Sequence, residues 1–144
     1  MIIEQILNDK GREVVTLLAD NTLREAAKLL DERRIGAVVA LDAAGEIIGV
    51  LSERDIVRQV ARHGGEALEM TVGSAMTRAV ITIRAEADVD EALQLMTDRR
   101  IRHLPVVRNE RLTGFVSIGD LVKWKIAKTE AEAEAMKSYL SSQF

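Results

Sequence analysis

Two kinds of hydrophobic pattern alternate along this chain, and each occurs twice. Short runs rich in β-branched residues predict strands, namely VVTLL at 14–18 and VITIR at 80–84. Apolar residues at helical spacing follow each run, and they form one helix face with Leu23, Ala26, Ala27 and Leu30 and another with Val89, Ala92, Leu93 and Met96. Continuous apolar runs, IGAVVAL and HLPVV, then predict buried strands. With the turn, strand and helix that come next, the pattern predicts the order β-α-β-β-α twice.

The two halves are an internal repeat. Val15 aligns with Ile81 at an offset of 66 residues, and the tripeptide RRI at 33–35 aligns with RRI at 99–101. One residue is lost near the DAAGE turn, so the offset becomes 65. The frames GVLSERD and GFVSIGD then coincide, and they align Gly49, Ser52 and Asp55 with Gly114, Ser117 and Asp120. A duplicated unit of roughly 60 residues explains this similarity.

The repeat predicts an α+β fold. The three-stranded sheet of a single motif would leave one of its faces exposed to solvent, so we expect the two motifs to share a core. We place the first motif with its N-terminal segment at 1–68, the second at 69–125 and a helical extension at 126–144. Two glycines in RHGGEALEM end the helix that begins near Glu53, whereas the last helix continues through a segment rich in Ala, Glu and Lys.

Composition narrows the function classes. Lys plus Arg is 20 and Asp plus Glu is 23, so the net charge of −3 gives no general footprint for nucleic acid. The segment KWKIAK at 123–128 is typical of a solvated helix face with one buried aromatic, the alternative being a nucleic-acid contact through Trp124. The chain has no cysteine, no run of 18 apolar residues and no basic leader, so we expect a cytoplasmic protein.

The Ser-x-x-Asp spacing in both frames has two interpretations. Ser52 and Ser117 are placed to cap a helix, with Asp55 and Asp120 in its first turn, where the helix dipole favours a carboxylate. The same carboxylate has two acceptor oxygens and can hold the two adjacent hydroxyls of a ribose. The two roles are compatible, because the serine can cap while the aspartate binds.

These frames, together with Thr16, Thr82 and the strands IGAVVAL and IRHLPVV, resemble a pair of CBS motifs, the arrangement called a Bateman module. The resemblance extends from about Val14 to about Lys125 and implies a disc-like, pseudo-twofold module of the small stand-alone type. It implies two clefts between the halves, which in this family commonly hold adenosine nucleotides. In many members the module regulates an enzyme or transporter.

The resemblance also implies composite clefts, in which the aspartate of one motif shares a cleft with the central strand of the other. The candidate ligand-binding residues are therefore Asp55 with Ser52, Arg54, Thr82, Arg102, His103, Leu104 and Pro105 in one cleft, and Asp120 with Ser117, Thr16, Gly36, Ala37 and Val38 in the other. Arginines suit phosphate, but Arg54 and Arg102 are alternatively ordinary surface charges, and His103 is alternatively a neutral residue at a strand start. The positions that match these cations carry no charge, so we expect unequal clefts. Pro105, the only proline, is unusual within a predicted central strand, and we interpret it as the place where the strand ladder opens for a ligand.

We interpret the chain as a regulatory module that binds an adenine nucleotide and signals energy or redox state to an effector protein. AMP is the leading ligand, with ADP, ATP and NAD(H) as alternatives. The competing hypothesis is a structural dimerisation adaptor with vestigial clefts. We expect no catalysis and no metal, because the chain shows no phosphate loop, no nucleophile–base pair and no metal-binding spacing.

We also expect a homodimer without membrane insertion. Ile126, Ala133, Met136 and Leu140 recur along the last helix at a spacing close to that of a coiled coil. The alternative is a helix that folds back on its own module.

Overall fold

The computed structural model describes residues 1–143, which form two compact units. One unit is the segment Glu13–Ile81, and the other combines Met1–Arg12 with the chain from Thr82 onward. Each unit contains one repeat of the predicted order β-α-β-β-α, so the α+β prediction is confirmed. The N-terminal helix α1 (Ile3–Lys10) precedes the first repeat in sequence but belongs to the unit that contains the second.

The unit Glu13–Ile81 is built around a three-stranded sheet of order β1-β2-β3. Strand β1 runs parallel to β2, and β2 runs antiparallel to β3. Val38 and Ala40 of β2 pack with Leu23, Ala26 and Leu30 of α2 in a buried core. The elements in chain order are β1 (Thr16–Leu18), α2 (Leu23–Arg33), β2 (Ala37–Leu41), β3 (Ile47–Ser52), α3 (Glu53–His63), a 3₁₀-helix (Gly64–Glu69) and α4 (Val72–Ala75).

The second unit repeats this sheet as β4-β5-β6, with the same parallel and antiparallel pairings. Its elements after α1 are β4 (Ile83–Arg84), α5 (Val89–Arg99), β5 (His103–Arg108), β6 (Arg111–Ser117) and α6 (Ile118–Gln143). Asn109 and Glu110 connect β5 to β6 and both have positive φ, at 51° and 64°. Two such residues are what a tight two-residue hairpin turn requires.

Local signals in the sequence explain where the helices begin and end. The Thr22 hydroxyl caps the N-terminus of α2 by accepting a hydrogen bond from the amide of Glu25. The Asp88 carboxylate caps α5 by accepting from the amide of Asp90. Arg34 and Arg100 close α2 and α5 in the left-handed conformation, at φ 53° and 54°. The repeated RRI tripeptide is therefore a helix end followed by a strand.

Pro105 lies inside the central strand of its sheet. It pairs with Phe115 of β6 on one side, but the ladder with β4 begins only at Val106. In the first unit Val39, the equivalent residue, pairs with Thr16, and its amide donates to the carbonyl of Val15 at 3.1 Å. Proline has no amide hydrogen to donate, so β4 is shorter than β1 and Thr82 lies outside it.

The short lead-in segments that precede the two repeats are also structurally equivalent to each other. The amide of Ile3 donates to the carbonyl of Ala87 at 2.9 Å, and the amide of Val72 donates to that of Asn21 at 2.7 Å. The next amide in each segment makes an equivalent hydrogen bond. The amide of Glu4 donates to the carbonyl of Ala85, and the amide of Gly73 donates to the carbonyl of Ala19, both at 2.9 Å. Helices α1 and α4 are therefore equivalent, and each packs in the unit that contains the other repeat's strands and helices.

Helix α6 is long and largely solvent-exposed. It runs from Ile118 to Gln143, as its helix-forming composition predicts. Its first turns pack on the rest of the second unit through Leu121, but every residue from Thr129 to Ser142 is exposed. Along residues 1–143, none of the helices combines the length and apolar character that a membrane crossing needs.

Candidate functional site

The first Ser-x-x-Asp frame is a reciprocal helix cap. The Ser52 hydroxyl accepts from the amide of Asp55 at 3.3 Å, and the amide of Ser52 donates to Oδ2 of Asp55 at 2.8 Å. Asp55 is only 6% exposed, which makes it the most deeply buried charged residue among those described. Its other oxygen, Oδ1, receives only a long contact of 3.3 Å from Arg58. The cap thus occupies one oxygen of the carboxylate and leaves the other weakly bound.

The second frame repeats the geometry and adds a cation. The Ser117 hydroxyl accepts from the amide of Asp120 at 3.1 Å, and the amide of Ser117 donates to Oδ2 of Asp120 at 2.9 Å. Lys10, from the end of α1, donates to the same Oδ2 and to the carbonyl of Phe115, both at 2.7 Å. Within residues 1–143, no hydrogen bond reaches Asp120 Oδ1.

Several groups act on the ionisation of Asp120. Partial burial favours the neutral acid and so acts to raise its pKa. The hydrogen bond from Lys10, the amide and hydroxyl of Ser117 and the charge of Lys10 all favour the carboxylate. Together they outweigh burial and hold the pKa of Asp120 below its usual value, so it is a carboxylate at neutral pH.

The glycine that opens each frame makes room for a side chain from a lead-in segment. A Cβ on Gly114 would lie 2.6 Å from Cδ2 of Leu7 in α1. A Cβ on Gly49 would clash in the same way with the side chain of Met76, just after α4. The repeated Gly in GVLSERD and GFVSIGD is therefore a packing requirement, and the ligand question rests on the Ser and Asp positions.

The remaining candidates of the first unit lie around the same corner of its sheet. The carbonyl of Gly36 accepts from the amide of Glu53 at 2.9 Å, and Ala37 pairs with Ser52 across β2 and β3. Val38 is fully buried, whereas Thr16 and Arg54 are exposed. The start of the central strand and the serine of the frame are thus neighbours within the unit.

The second unit arranges its candidates in the same way. The carbonyl of Arg102 accepts from the amide of Ile118 at 2.8 Å, and His103 pairs with Ser117 across β5 and β6. The His103 ring stacks on Phe115, with ring centroids 5.7 Å apart. Leu104 and Pro105 are buried, whereas Arg102 and Thr82 are exposed.

Lys10 is the residue that comparison of the two repeats missed. The repeat matches Arg54 with Gly119 and Arg102 with Gly36, which carry no charge, yet Lys10 forms an ion pair with Asp120. Its signal in the sequence is weak, because its equivalent at the lead-in spacing is Ala79. As for metals, the described part of the chain contains no group of three or more His, Cys, Asp or Glu side chains that could hold an ion.

Known proteins resemble this chain over most of its length. The mitochondrial CBS domain-containing protein CBSX3 of Arabidopsis thaliana is 30% identical, over 99% of this chain and 73% of its own. Among solved structures, the CBS-domain containing protein ATU1752 of Agrobacterium tumefaciens is 43% identical, with a TM-score of 0.83, over 85% of this chain and 91% of its own.

A third comparison concerns a ligand-bound structure. The CBS domain pair of protein MJ0100, solved in complex with 5′-methylthioadenosine and S-adenosyl-L-methionine, is 26% identical with a TM-score of 0.79, over 89% of this chain and 98% of its own. The family model for the CBS domain matches this chain twice, at residues 5–62 and 72–127. Its second match begins at α4, in agreement with the equivalence of the two lead-in helices. The chain therefore belongs to the CBS-domain family and carries a pair of CBS motifs.

Proposed function

We propose that this chain is a regulatory module that binds an adenosine-containing ligand, with AMP as the leading candidate, and reports energy or redox state to an effector protein. CBS pairs are regulatory ligand-binding modules. The MJ0100 pair was solved with two adenosine compounds, which supports this ligand class for a chain of the same fold. ADP, ATP and NAD(H) contain the same adenosine part and differ in phosphate charge.

The proposal rests on the two carboxylates of Asp55 and Asp120, in each of which the helix cap uses only one oxygen. In both frames one oxygen holds the helix cap, whereas Asp120 Oδ1 receives no hydrogen bond from the described residues and Asp55 Oδ1 receives only the long one from Arg58. An ionised carboxylate only accepts hydrogen bonds, and the vicinal hydroxyls of ribose are two adjacent donors. Each frame thus offers a ribose acceptor that its cap holds in a fixed rotamer.

Phosphate recognition would fall to exposed arginines. Arg54 follows the first frame's serine by two positions, and Arg102 precedes β5 directly. Within the part of the chain that the structure describes, neither forms an ion pair, so both guanidinium groups are available to an anion. A charge-assisted hydrogen bond from such a group is typically worth about 1.5–3 kcal/mol. This supports a nucleotide over a bare nucleoside.

The signal would be a shift between conformations. A ligand that binds one conformation more tightly raises the population of that conformation, and the effector protein reads the change. No chemical step is needed, and we expect the pure protein to leave ATP and NADH unchanged.

The test combines mass spectrometry of small molecules released from the purified protein with thermal melting in AMP. At about 100-fold excess over its dissociation constant, a ligand adds about 2.7 kcal/mol of stability, which raises the melting temperature by several degrees. Asp55→Ala removes a cap as well, so its AMP-dependent shift is compared with its own ligand-free melting temperature.

Two further variants make this comparison sharp. Asp55→Asn keeps an acceptor for the cap but loses the charge, so it should retain most of the ligand-free stability and lose most of the AMP-dependent shift. We expect Asp120→Ala to remove less of the shift than Asp55→Ala, because Lys10 already pairs with Asp120. Asp20→Ala, at an exposed position outside both frames, is the control. Equal shifts in wild type and both Asp55 variants would overturn the assignment of Asp55.

One observation favours a second function, that of a dimerisation adaptor with vestigial binding sites. The Lys10–Asp120 ion pair fills part of one candidate site with the chain's own side chain. If no adenosine compound is released on purification and none raises the melting temperature, while the protein is a dimer, the adaptor function is correct.

A further inference from the structure

We propose that helix α6 pairs with α6 of a second copy of this chain as a parallel, in-register two-stranded coiled coil. Helix α6 carries an apolar stripe, defined as Val122, Ile126, Thr129, Ala133, Met136 and Leu140, whose spacings are 4, 3, 4, 3 and 4 residues. The large members are exposed, Val122 by 41%, Ile126 by 53%, Met136 by 59% and Leu140 by 50%. An exposed apolar stripe of this length requires a partner surface that buries it.

The stripe points away from the unit that carries it. Leu121 is fully buried and Trp124 is partly buried, so this face of α6 packs on its own unit. Lys125, at the border between this face and the stripe, donates to Asp90 at 2.8 Å. In heptad terms Leu121 and Trp124 occupy positions opposite the stripe. The packed and unpacked faces are therefore opposite, and a second helix has access to the stripe.

Charges that flank the stripe select a second copy in parallel orientation. Lys125 and Glu132 line one side of the stripe, while Glu130 and Lys137 line the other. In a parallel pair, each residue on the first side meets the residue five positions later on the partner helix. Glu132 then meets Lys137 of the second copy, and Lys125 meets Glu130 of the second copy, which would share or replace the exposed Asp90 as its partner. Both contacts join opposite charges.

An antiparallel pair fails in each of its main registers. The register that covers the whole stripe places Lys123 beside Lys137 of the second copy, and Glu130 beside Glu130 of the second copy. Two shorter registers match the charges. One, with Lys123 beside Glu130 of the second copy, overlaps only residues 122–133 and leaves Met136 and Leu140 without a partner. The other, with Glu130 beside Lys137 of the second copy, overlaps only residues 129–140 and leaves Val122 and Ile126 without a partner. Only the parallel pair covers the stripe and matches the charges together.

Charge reversal at Lys137 is the first test of these arrangements in the full-length protein. Lys137→Glu sets two glutamates against each other in the parallel pair, so sedimentation across a dilution series should show several-fold weaker dimerisation. In the fully overlapping antiparallel pair the same change would place the new carboxylate beside Lys123 and strengthen the dimer. In the short register with Lys123 beside Glu130 it would have no effect. In the short register with Glu130 beside Lys137 it would also weaken the dimer, and the double variant below separates that case. Strengthening or no effect would therefore overturn the parallel assignment.

A second charge reversal and its rescue test the same contact from the other side. Glu132→Lys should weaken the dimer, and the double variant Glu132→Lys with Lys137→Glu should restore it, because the pair is opposite in sign again. Glu134→Lys is the matched control, since it lies in the same acidic segment off the stripe and should leave dimerisation unchanged. Failure of the double variant to recover would count against the pairing.

Disulfide trapping gives an independent readout, because the chain has no native cysteine. Ala133→Cys puts a thiol on the stripe, where the in-register parallel pair brings the two copies of residue 133 together. Ala131→Cys, on the outer face of the same turn, is the control. We expect oxidation to produce a covalent dimer from Ala133→Cys and little from Ala131→Cys. Equal yields from both, or a wild type that stays a monomer across the dilution series, would overturn the proposal, and this outcome is independent of ligand binding.

Discussion

At the scale of single residues, the ion pair between Lys10 and Asp120 has a pH dependence that can be measured. The folded-state pKa of Asp120 lies below the ordinary value of 3.8. A carboxyl with a depressed folded-state pKa adds stability above its unfolded pKa and loses it as the pH falls through its folded pKa. The side chains of Lys10 and Asp120 are 35% and 28% exposed, so the contribution should not exceed about 1 kcal/mol.

Lys10→Gln should therefore raise the pKa of Asp120 toward its ordinary value. The stability difference between wild type and variant should be present at neutral pH and disappear once the pH has fallen below the depressed folded-state pKa of wild-type Asp120, because the carboxyl is then neutral in both proteins. An NMR titration of the Asp120 carboxyl carbon measures the pKa directly. Lys28→Gln, at an exposed lysine of α2 outside both frames, should leave that titration unchanged. If Lys10→Gln left it unchanged too, the ion pair would be absent in solution.

Arg102 is the second residue whose role can be isolated. If its guanidinium binds phosphate, Arg102→Ala should weaken the binding of AMP by roughly tenfold or more and the binding of adenosine hardly at all, since one charge-assisted hydrogen bond is lost. Titration calorimetry with both ligands provides the comparison, and Arg99→Ala, at an exposed position on α5, is the control. Equal weakening of AMP and adenosine would indicate that Arg102 supports the fold instead.

Sequence reasoning reached the two frames but not everything around them. The caps at Ser52 and Ser117 follow from local spacing, and the structure shows their predicted hydrogen bonds. Lys10 acts over a separation of 110 residues and is matched in the other half by the uncharged Ala79, so neither local spacing nor repeat alignment could reveal its role. The roles of the ligand-binding candidates stay predictions, because hydrogen bonding within the protein does not reveal what an unfilled acceptor binds.

At the scale of elements, the fit of α1 onto β6 depends on a missing side chain. Gly114 leaves room for Leu7, which is fully buried against it. The pattern of apolar residues predicted β6 and the helix after it, but it gave no indication that a lead-in helix would pack across the glycine. That contact joins residues far apart in sequence, and such tertiary packing lies outside any periodicity argument.

Gly114→Ala should destabilise the protein by about 1–3 kcal/mol, because the new methyl group meets Leu7 inside a close-packed core. Chemical denaturation measures the loss. Gly65→Ala is the control, since a Cβ at Gly65 would meet nothing within 4 Å and should cost little. The double variant Gly114→Ala with Leu7→Ala should lose less stability than the sum of the losses in the two single variants, because the smaller side chain at position 7 relieves the clash. Strict additivity would mean that Leu7 and Gly114 do not pack together.

At the scale of the whole molecule, the repeats and the compact units divide the chain differently. The unit that holds the first repeat extends to Ile81 and so includes α4, whereas α1 belongs to the other unit. Fragment 13–81 contains one entire unit. Fragment 1–68, which is almost the same length, lacks α4 and carries an α1 whose buried Ile3, Ile6 and Leu7 have lost their sheet.

Fragment 13–81 should therefore fold more stably than fragment 1–68. Burial of apolar surface by Val72 and Met76 is retained in the first fragment and lost in the second. Circular dichroism during thermal melting compares the two, and a fragment 13–68 without either lead-in helix serves as the control. A higher melting temperature for fragment 1–68 would show that α1 stabilises the first repeat instead.

The exchange of lead-in helices also bears on how such a chain could arise. A precursor with only one motif would have a lead-in helix and a glycine on its sheet that leaves room for such a helix. The helix that packs on this glycine would have to come from a second molecule. Fusion of two copies turns that intermolecular contact into an intramolecular one, at the effective concentration set by a short tether. After fusion the halves are free to diverge, and an exchanged helix can acquire in one half a side chain such as Lys10 that the other half never carries.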